Sequence, residues 1–271
     1  MRAIVTGAAR GIGRAIAERI ASDAQKAGQP LKLVLVDQHS DELEAVASAL
    51  RTPGAEVHTL TGDMADPQLP ATIAQAAASW GGLDGLVSNV GYAQPGDLHA
   101  YTLEDWDRMF AVNVRSHWLL AKACFEMLRQ AQGKVVFTTS ISGTNPTTPL
   151  GAYSPCKAAL IMLMRQLSVE WAPQGIRVNA VAPGMTLTPG TSPVYQDPQV
   201  RQQREARIPA RRIGRPEDIA GATAYLLGPD ADYVHGVELL VDGGLDKTVM
   251  VNPVMDGWRT ARRQSGQSGA A

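Results

Sequence analysis

The sequence has few of the residues that mark disulfide-bonded, metal-binding or membrane-spanning proteins. Only two of its 271 residues are cysteines, Cys124 and Cys156, so no disulfide framework is expected and a reducing, cytoplasmic location is predicted. The histidines follow no metal-ligand spacing, so no metal site is predicted. No run approaches the ~18 apolar residues of a membrane helix. Because apolar, β-branched residues begin at Ala3, no signal peptide is predicted either.

An excess of charge of either sign is also missing. The net charge is −1 and the pI is near 6.5, which gives no electrostatic support to a nucleic-acid or membrane-surface partner. Hydrophobic residues make up 45% of the chain and charged residues 19%, which are ordinary proportions for a soluble globular protein. A chain of this length suits one large α/β domain or two small ones.

The N-terminal segment has the pattern of a strand, a glycine loop and a helix. The apolar run 3–5 enters the loop Thr6–Gly13, and a helical pattern follows from Arg14. In this context glycines let the backbone turn tightly and approach a phosphate group at the helix N-terminus. The segment therefore predicts a dinucleotide-phosphate site, with a plain strand-to-helix loop as the alternative.

The second predicted strand, 33–36, ends in Asp37. A carboxylate at this point is placed to bond the adenosine ribose hydroxyls and to repel a 2′-phosphate, which favours NAD over NADP. Arg10 in the glycine loop favours the opposite choice, because an arginine there can pair with that phosphate. Asp37 is also typical of a strand-end turn residue that caps the next helix.

Strands and helices continue to alternate along the chain, which predicts a doubly wound, mostly parallel sheet with helices on both faces. The ligand is then expected beyond the carboxyl ends of the strands, where Asp63 would lie close to an adenine. The further predicted strands are 56–60, 83–91 (running into a turn) and 134–138, and the further predicted helices are 42–50, 73–80 and 103–128.

Tyr153 and Lys157 stand four residues apart at the start of a predicted helix. This spacing puts the phenol and the ammonium on one face, about one turn apart. A phenol with a pKa of about 10 is a poor base at neutral pH, and a fixed ammonium nearby can lower that pKa. The pair predicts an acid/base device, whereas taken alone it is also typical of a chance surface pair.

Two polar positions accompany this pair. Ser140 follows the fifth predicted strand, so its hydroxyl is expected at the ligand edge of the sheet. Asn113 is an amide within an otherwise apolar helical stretch. Because a buried amide must satisfy its hydrogen bonds, Asn113 is either a structural strut or a site residue.

Taken together, these motifs resemble those of the short-chain dehydrogenase/reductase family, in its single-domain branch with a Rossmann fold. The resemblance covers about residues 2–246. The residues that carry it are the Thr6–Gly13 loop, Asp37, Asp63, Ser88-Asn89-Val90-Gly91, Asn113, Ser140, Tyr153-x3-Lys157, the run Arg177-Val178-Asn179-Ala180-Val181-Ala182-Pro183-Gly184, and Val241-Asp242-Gly243-Gly244.

The resemblance implies a role for each matching residue. Tyr153 would be the general acid/base, Lys157 would lower its pKa and bond the nicotinamide ribose, Ser140 would hold the substrate oxygen, and Asn113 would anchor a relay water. The cofactor contacts implied are Gly7, Arg10, Gly11, Ile12, Gly13, Asp37, Asp63, Met64, Asn89, Gly91, Tyr153, Lys157, Pro183, Gly184, Thr186 and Thr188. The candidate substrate contacts, chosen by position alone, are Ser142, Asn145, Met185 and Tyr195.

The sequence departs from the family pattern in three places. The usual Asn-Asn-Ala-Gly is Ser88-Asn89-Val90-Gly91 here. The stretch between Gly13 and Asp37 is longer than usual, which predicts an insertion at 21–30 between helix and strand. Residues 247–271 extend beyond the single domain expected for 1–246, and their last part is predicted to be flexible.

The function implied is hydride transfer between NAD(H), with NADP as the other possibility, and a secondary alcohol or ketone. The alternatives are an NADPH-dependent 3-oxoacyl-thioester reductase, a sugar-nucleotide epimerase or dehydratase, and a non-catalytic dinucleotide-binding protein. The expected partners are a small-molecule alcohol or carbonyl substrate and further copies of the chain, as a homotetramer or homodimer. Neither a nucleic acid nor a membrane is expected as a partner.

Overall fold

A computed structural model describes residues 1–250. Within that range the chain forms one seven-stranded parallel sheet and nine α-helices. The strands are β1 (Arg2–Thr6), β2 (Leu31–Asp37), β3 (Ala55–Thr61), β4 (Gly85–Ser88), β5 (Lys134–Thr138), β6 (Arg177–Pro183) and β7 (Glu238–Val241). The helices are α1 (Gly11–Lys26), α2 (Ser40–Leu50), α3 (Leu69–Ala77), α4 (Leu103–Phe110), α5 (Ser116–Ala131), α6 (Tyr153–Trp171), α7 (Ser192–Tyr195), α8 (Pro198–Arg207) and α9 (Pro216–Leu227).

The strand order determines where along the sheet a ligand can bind. The sheet runs β3-β2-β1-β4-β5-β6-β7, so the chain changes direction across the sheet between β1 and β4. At that point the loops that leave β1 and β4 diverge to opposite faces and open a crevice at the carboxyl ends of the strands. The predicted doubly wound parallel sheet is confirmed, and its switch point lies between the glycine loop and residues 88–91.

Apolar residues cover both faces of the sheet, as a parallel sheet requires. On one face the sheet packs against α1, α2 and α9, with Ile16 and Ile219 in the same cluster. On the other face it packs against α3, α5 and α6, with Leu120 and Leu160 in the second cluster. The central strands β1 and β5 are therefore buried on both sides and hold the loops at their ends rigidly.

The long helix predicted over 103–128 is interrupted. Residues Ala111–Arg115 form a single π-helical turn between α4 and α5. The Asn113 side chain donates a hydrogen bond of 2.9 Å to the carbonyl of Met109, four residues earlier, which is the acceptor that an α-helix would reserve for a backbone N–H. The prediction of one regular helix was wrong because this amide competes with the backbone.

The predicted insertion at 21–30 is not a loop. Helix α1 continues to Lys26, and a short turn through Gly28, whose φ is +62°, leads to β2. The additional residues therefore extend the helix by more than a turn. The same helix begins at Gly11, three residues before the predicted start, so its first backbone amides belong to the glycine loop.

Residues 1–250 contain neither a membrane-spanning helix nor a cluster of metal-binding side chains. No helix in this range is both long and apolar enough to span a bilayer. No cluster of three or more His, Cys, Asp or Glu side chains in the same range is arranged to hold a metal ion. The predicted flexible part of the C-terminal extension lies outside the described residues.

An ion pair joins the first strand to the entry of the fourth. Arg2 donates to Asp84 from Nη2 at 2.6 Å, from Nε at 3.1 Å and from its backbone N at 2.7 Å. Burial alone would raise the pKa of Asp84, but the hydrogen bonds from Arg2 outweigh burial and hold that pKa below its ordinary value. The carboxylate therefore stabilises the switch-point strands only while it is ionised.

We expect Asp84→Asn to lower the free energy of unfolding by about 1–3 kcal/mol, because it removes a charged partner from a half-buried network. Since the folded pKa of Asp84 is depressed, the difference from the native chain should be full above a pH of about 4 and shrink as the pH falls below it. Denaturant unfolding at several pH values measures this. Glu18→Gln is the control, because Glu18 pairs with Arg14 on an exposed helix face and should change little.

Candidate active site

The glycine loop forms a close-packed turn at the N-terminus of α1. Gly7 and Gly11 have φ values of +67° and +56°, a region that favours glycine. A Cβ at Gly13 would lie 2.0 Å from the carbonyl oxygen of Gly7, so no side chain fits there. Arg10, the residue before the helix, provides no side-chain hydrogen bond to the first amides of α1. These amides fit a phosphate of a dinucleotide.

The loop after β6 lies against this turn. Thr188 Cβ lies 3.4 Å from the position that a Cβ at Gly11 would occupy, so the two segments face each other across the crevice. Thr186 is buried and bonds the carbonyl of Gly184 at 3.2 Å. Pro183 and Gly184 end β6 at the same edge of the sheet. The crevice is thus bounded by the segments that the sequence predicted for the cofactor.

The end of β4 is held by four hydrogen bonds from hydroxyl and amide groups. Thr6 Oγ1 accepts hydrogen bonds from the backbone N of Asn89 at 2.9 Å and of Val90 at 3.2 Å. The Asn89 side chain donates to the carbonyl of Thr6 at 3.1 Å and accepts from Thr138 Oγ1 at 3.0 Å. Asn89 therefore ties β1, β4 and β5 together. Thr138 belongs to this network through a contact between distant strands, which no sequence pattern indicates.

The residues predicted near the adenosine, Asp37 and Arg10, contact other residues of the protein. The Asp37 carboxylate accepts the backbone N of Ala9 at 3.0 Å and that of His39 at 3.1 Å, so it joins the glycine loop to the end of β2. These contacts make Asp37 a turn residue at the crevice, and its contact with an adenosine ribose stays a prediction. Arg10 Nη1 lies 3.8 Å from the Glu42 carboxylate.

Asp63 and Met64 follow β3. Asp63 accepts the backbone N of Ala65 and the Arg108 guanidinium, both at 2.9 Å. Burial raises the pKa of Asp63, but the two hydrogen bonds outweigh it and lower the pKa overall. Met64 and Ile12 turn apolar side chains into the two cores, so their side chains stabilise the walls of the crevice.

Lys157 is a buried ammonium at the carboxyl edge of the sheet. Its Nζ donates to the carbonyl of Thr138 at 2.9 Å, and only 1% of the residue is exposed. Burial lowers the pKa of Lys157 to about 8, so the group is still charged at neutral pH. The contact exists because β5 ends at Thr138, which leaves that carbonyl free for a side chain rather than for the next strand.

Tyr153 lies beside this charge, with Lys157 Nζ 5.6 Å from the centre of its ring. Burial raises the pKa of the Tyr153 phenol, and contact with the Ser140 hydroxyl works against that rise. The four-residue spacing predicts that the ammonium lowers this pKa. In this structure the direction is the opposite, because Lys157 bonds a carbonyl instead of the phenol and the phenol is surrounded by protein.

Asn113 is a strut in this structure. Its amide nitrogen donates to the carbonyls of Tyr92 at 2.8 Å and Met109 at 2.9 Å, and its oxygen accepts the backbone N of Tyr92 at 3.1 Å. The π-helical turn brings the amide to the loop that follows β4. The role of water anchor, implied by the resemblance, stays a prediction.

The four candidate substrate residues divide into two pairs. Ser142 Oγ bonds Thr147 Oγ1 at 2.8 Å, and the Asn145 amide donates to the Asp246 carboxylate from the segment after β7. Both residues lie in the loop that follows Ser140. Met185 and Tyr195 instead pack in a small apolar cluster with Ile208, Ile213 and Leu245, where Tyr195 is 7% exposed. This pair stabilises the segment between β6 and α9.

Because Gly91 has no side chain, a gap lies between the catalytic candidates Lys157 and Asn113. A Cβ at this residue would lie 3.5 Å from Lys157 Nζ and 3.7 Å from Asn113 Oδ1, distances of ordinary contact. A methyl group would therefore fit sterically and occupy the polar space beside the ammonium.

We expect Gly91→Ala to fold with an unchanged melting temperature but to bind NADH several-fold more weakly, because the methyl group displaces polar contacts next to Lys157. Fluorescence titration and thermal unfolding measure the two quantities. Gly221→Ala is the matched control, since that Cβ would meet only the end of the Arg19 side chain at 3.7 Å. Equal NADH affinity in both variants and the native chain would contradict this assignment of the gap.

Comparison with known proteins agrees with this geometry. A family model described as enoyl-(acyl carrier protein) reductase matches residues 7–246. The chain is 36% identical to 2-(S)-hydroxypropyl-CoM dehydrogenase 3 of Xanthobacter autotrophicus over 89% of its length and 94% of the relative's. It is 34% identical to glucose 1-dehydrogenase 2 of Bacillus subtilis, over 90% and 93% of the two chains.

A solved structure supports the same assignment. The Pseudomonas aeruginosa RhlG/NADP active-site complex superposes with a TM-score of 0.81 at 29% identity, over 90% of this chain and 95% of that one. Sheet order, glycine loop and the Tyr153–Lys157 pair agree with the family that the motifs resemble. The chain therefore belongs to the short-chain dehydrogenase/reductase family, whose members transfer hydride between NAD(P) and an alcohol or carbonyl substrate.

Proposed function

We propose that this protein is an NAD-preferring dehydrogenase of secondary alcohols and ketones in which Tyr153 is the acid/base. The observation that carries the proposal is the buried Lys157 ammonium, held by the Thr138 carbonyl beside the Tyr153 ring. Ser140 lies within reach of the same phenol. Burying a charged group costs free energy, and a buried ammonium with a shifted pKa at a crevice is typical of a functional site.

Each residue then has one task. When bound, NAD(P) supplies or accepts the hydride. Ser140 orients the substrate oxygen towards the phenol, and Tyr153 gives that oxygen a proton during reduction or takes one during oxidation. Lys157 stabilises the phenolate that remains after proton donation, and Asn113 keeps the neighbouring loop in place. The glycine loop and Asp37 hold the dinucleotide.

The protonation states set the pH dependence of this scheme. Because the pKa of Tyr153 is raised, the phenol is protonated at neutral pH and is ready to act as an acid for ketone reduction. Oxidation needs the phenolate, so its rate should rise as the pH increases. Reduction should show the opposite trend.

We expect Tyr153→Phe to lower kcat/KM by roughly 100-fold or more, because the proton donor is lost, while the affinity for NADH changes little. Steady-state assays and fluorescence titration measure these quantities. Tyr225→Phe is the control, since Tyr225 is a partly exposed residue of α9. Undiminished turnover of every accepted substrate by Tyr153→Phe would rule out the catalytic role.

NAD is favoured over NADP by the charges around the end of β2. Asp37 is held at the crevice by the amides of Ala9 and His39. Arg10, the cation that would attract a 2′-phosphate, lies next to the carboxylate of Glu42. The negative charges of Asp37 and Glu42 outnumber the positive charge of Arg10, so the region is unfavourable for the 2′-phosphate of NADP.

We expect Asp37→Ser to shift the ratio of NADPH to NADH affinity by roughly 10-fold or more towards NADPH. Removing the negative charge beside the expected position of the 2′-phosphate should change the affinity for that phosphate by about one logarithmic unit or more. Parallel titrations with both dinucleotides measure the ratio. Asp41→Ser, which removes an exposed carboxylate from the first turn of α2, is the control. A native preference for NADPH would contradict the proposed specificity.

Identifying the substrate requires assays with a panel of compounds. The names of the relatives include a thioether-linked alcohol and a sugar, and the description of the family model points to acyl-carrier thioesters. A panel of secondary alcohols, polyols, ketones and 3-oxoacyl thioesters, followed by NADH or NADPH absorbance, separates the proposed dehydrogenase from a thioester reductase.

We also propose that the chain assembles as a homodimer or homotetramer through α5 and α6. Trp118, Met162 and Val169 on these helices are 43%, 59% and 76% exposed, an unusual exposure for large apolar residues. Light scattering after size exclusion tests the assembly. The cytoplasmic location stays a prediction.

A further inference from the structure

The loop between the Ser140 and Tyr153 hydroxyl groups is cross-linked by contacts that the proposed mechanism does not use. It comprises residues 141–152 and begins with one short 3₁₀ turn, Ile141–Gly143. A loop of this length leaves the orientation of the residue at its start poorly defined unless side chains hold it. The orientation of the Ser140 hydroxyl therefore depends on what fixes this loop.

The sheet fixes Ser140 from the preceding residue. The backbone N of Thr139 donates to the carbonyl of Val181 at 2.8 Å, and Thr139 Oγ1 lies 2.9 Å from the Glu238 carboxylate. Thr139 is only 2% exposed, so these contacts hold it firmly at the end of β5. The side of Ser140 that remains to be fixed is the loop that follows it.

The Ser140 hydroxyl is oriented by an amide of this loop. The backbone N–H of Ser142 donates to Ser140 Oγ at 3.1 Å. A hydroxyl oxygen that accepts a hydrogen bond on one side keeps its single proton for another direction. Since the Tyr153 phenol lies within reach of Ser140, that proton is available to the phenol and to a substrate oxygen beside it.

Two further hydrogen bonds connect Ser142 to helix α6. Ser142 Oγ lies 2.8 Å from Thr147 Oγ1, and the backbone N of Thr147 donates to Ser154 Oγ at 3.0 Å. Ser154 belongs to the first turn of α6, next to Tyr153. The loop is thereby closed from its first turn to the start of the helix that follows it.

Thr147 has a second connection to the same helix. Its carbonyl accepts the N–H of Leu150, and the Leu150 carbonyl accepts the N–H of Tyr153, both at 3.1 Å. Thr147 is therefore the residue at which the side-chain contact from Ser142 meets the backbone contacts that lead to α6. Ser142 is only 8% exposed, so its hydroxyl is costly to leave without a partner.

We propose that Ser142, Thr147 and Ser154 form a hydroxyl clamp that positions Ser140, with Thr147 as the central positioning residue. The start of α6 is the fixed end of this clamp. The Ser142 amide is the other end, and it holds the Ser140 hydroxyl with its proton towards the reacting oxygen. Ser142, a candidate substrate contact by its position in the sequence, thus acts through Ser140. This inference rests on the proposed function, in which Ser140 orients the substrate oxygen.

Thr147→Val tests the clamp, because valine has nearly the shape of threonine and lacks the hydroxyl. We expect kcat for ketone reduction to fall roughly 5- to 20-fold, since a small displacement of a catalytic group slows the reaction strongly, while KM for NADH stays unchanged. The assay uses NADH and the ketone of the panel that the native protein reduces fastest. Thr147→Ser keeps the oxygen and should restore most of the native kcat.

The same substitution in a Ser140→Ala background separates positioning from packing. If the clamp acts through Ser140, Thr147→Val should change the rate there by about twofold or less, because changes within one unit are not additive. Single turnovers with the enzyme in excess over NADH measure such slow rates. A full further loss of rate in this background would show that Thr147 supports the pocket by packing alone and would overturn the proposal.

A second measurement requires no substrate. Urea unfolding of Ser142→Ala, Thr147→Val and the double variant reports whether the two hydroxyls interact. Each single change leaves one hydroxyl without its partner, so the double variant should lower the urea midpoint by less than the sum of the single shifts. Additive shifts would show that the two hydroxyls do not interact, and the clamp would be rejected.

Thr148→Val is the matched control, because Thr148 is the exposed neighbour of Thr147 in the same loop. It should leave both kcat and the urea midpoint unchanged. Turnover lost in Tyr153→Phe but retained in Thr147→Val would overturn this inference alone. Turnover retained in Tyr153→Phe would overturn the proposed function and the positioning role with it, while the urea measurement would still show whether the hydroxyls are paired.

Discussion

The hydrogen bond from the buried Lys157 ammonium to the Thr138 carbonyl is the contact on which the site depends. It exists because β5 ends at Thr138 and α6 begins at Tyr153, so a helix face meets the carboxyl end of a strand. A charge at this depth is tolerated only with polar partners on several sides.

The same constraint explains the unusual features nearby. Asn113 opens a π-helical turn in order to reach the loop after β4, and Gly91 leaves room between that amide and the ammonium. Ser88, which stands where the family usually has asparagine, forms a hydrogen bond with the imidazole of His117. The π-helical turn departs from regular structure, and Ser88 departs from the family pattern.

Much of the fold could be predicted from the sequence, because strand and helix patterns depend on neighbouring residues. The run 134–138 and the helix from Tyr153 lie where their apolar patterns indicated. Two predictions were wrong for reasons of side-chain contact. The helix 103–128 is interrupted by the Asn113 amide, and the stretch 21–30 extends α1 because nothing in its sequence distinguishes an inserted helical turn from a loop.

The sequence by itself determined the element order, the glycine loop and the four-residue spacing of Tyr153 and Lys157, since all of these are set by residues close together in the chain. Only the tertiary structure decided the direction of the Tyr153 pKa shift, the partner of Lys157 and the pairing of Ser88 with His117. Those properties depend on burial and on contacts between distant segments, and a linear pattern contains neither.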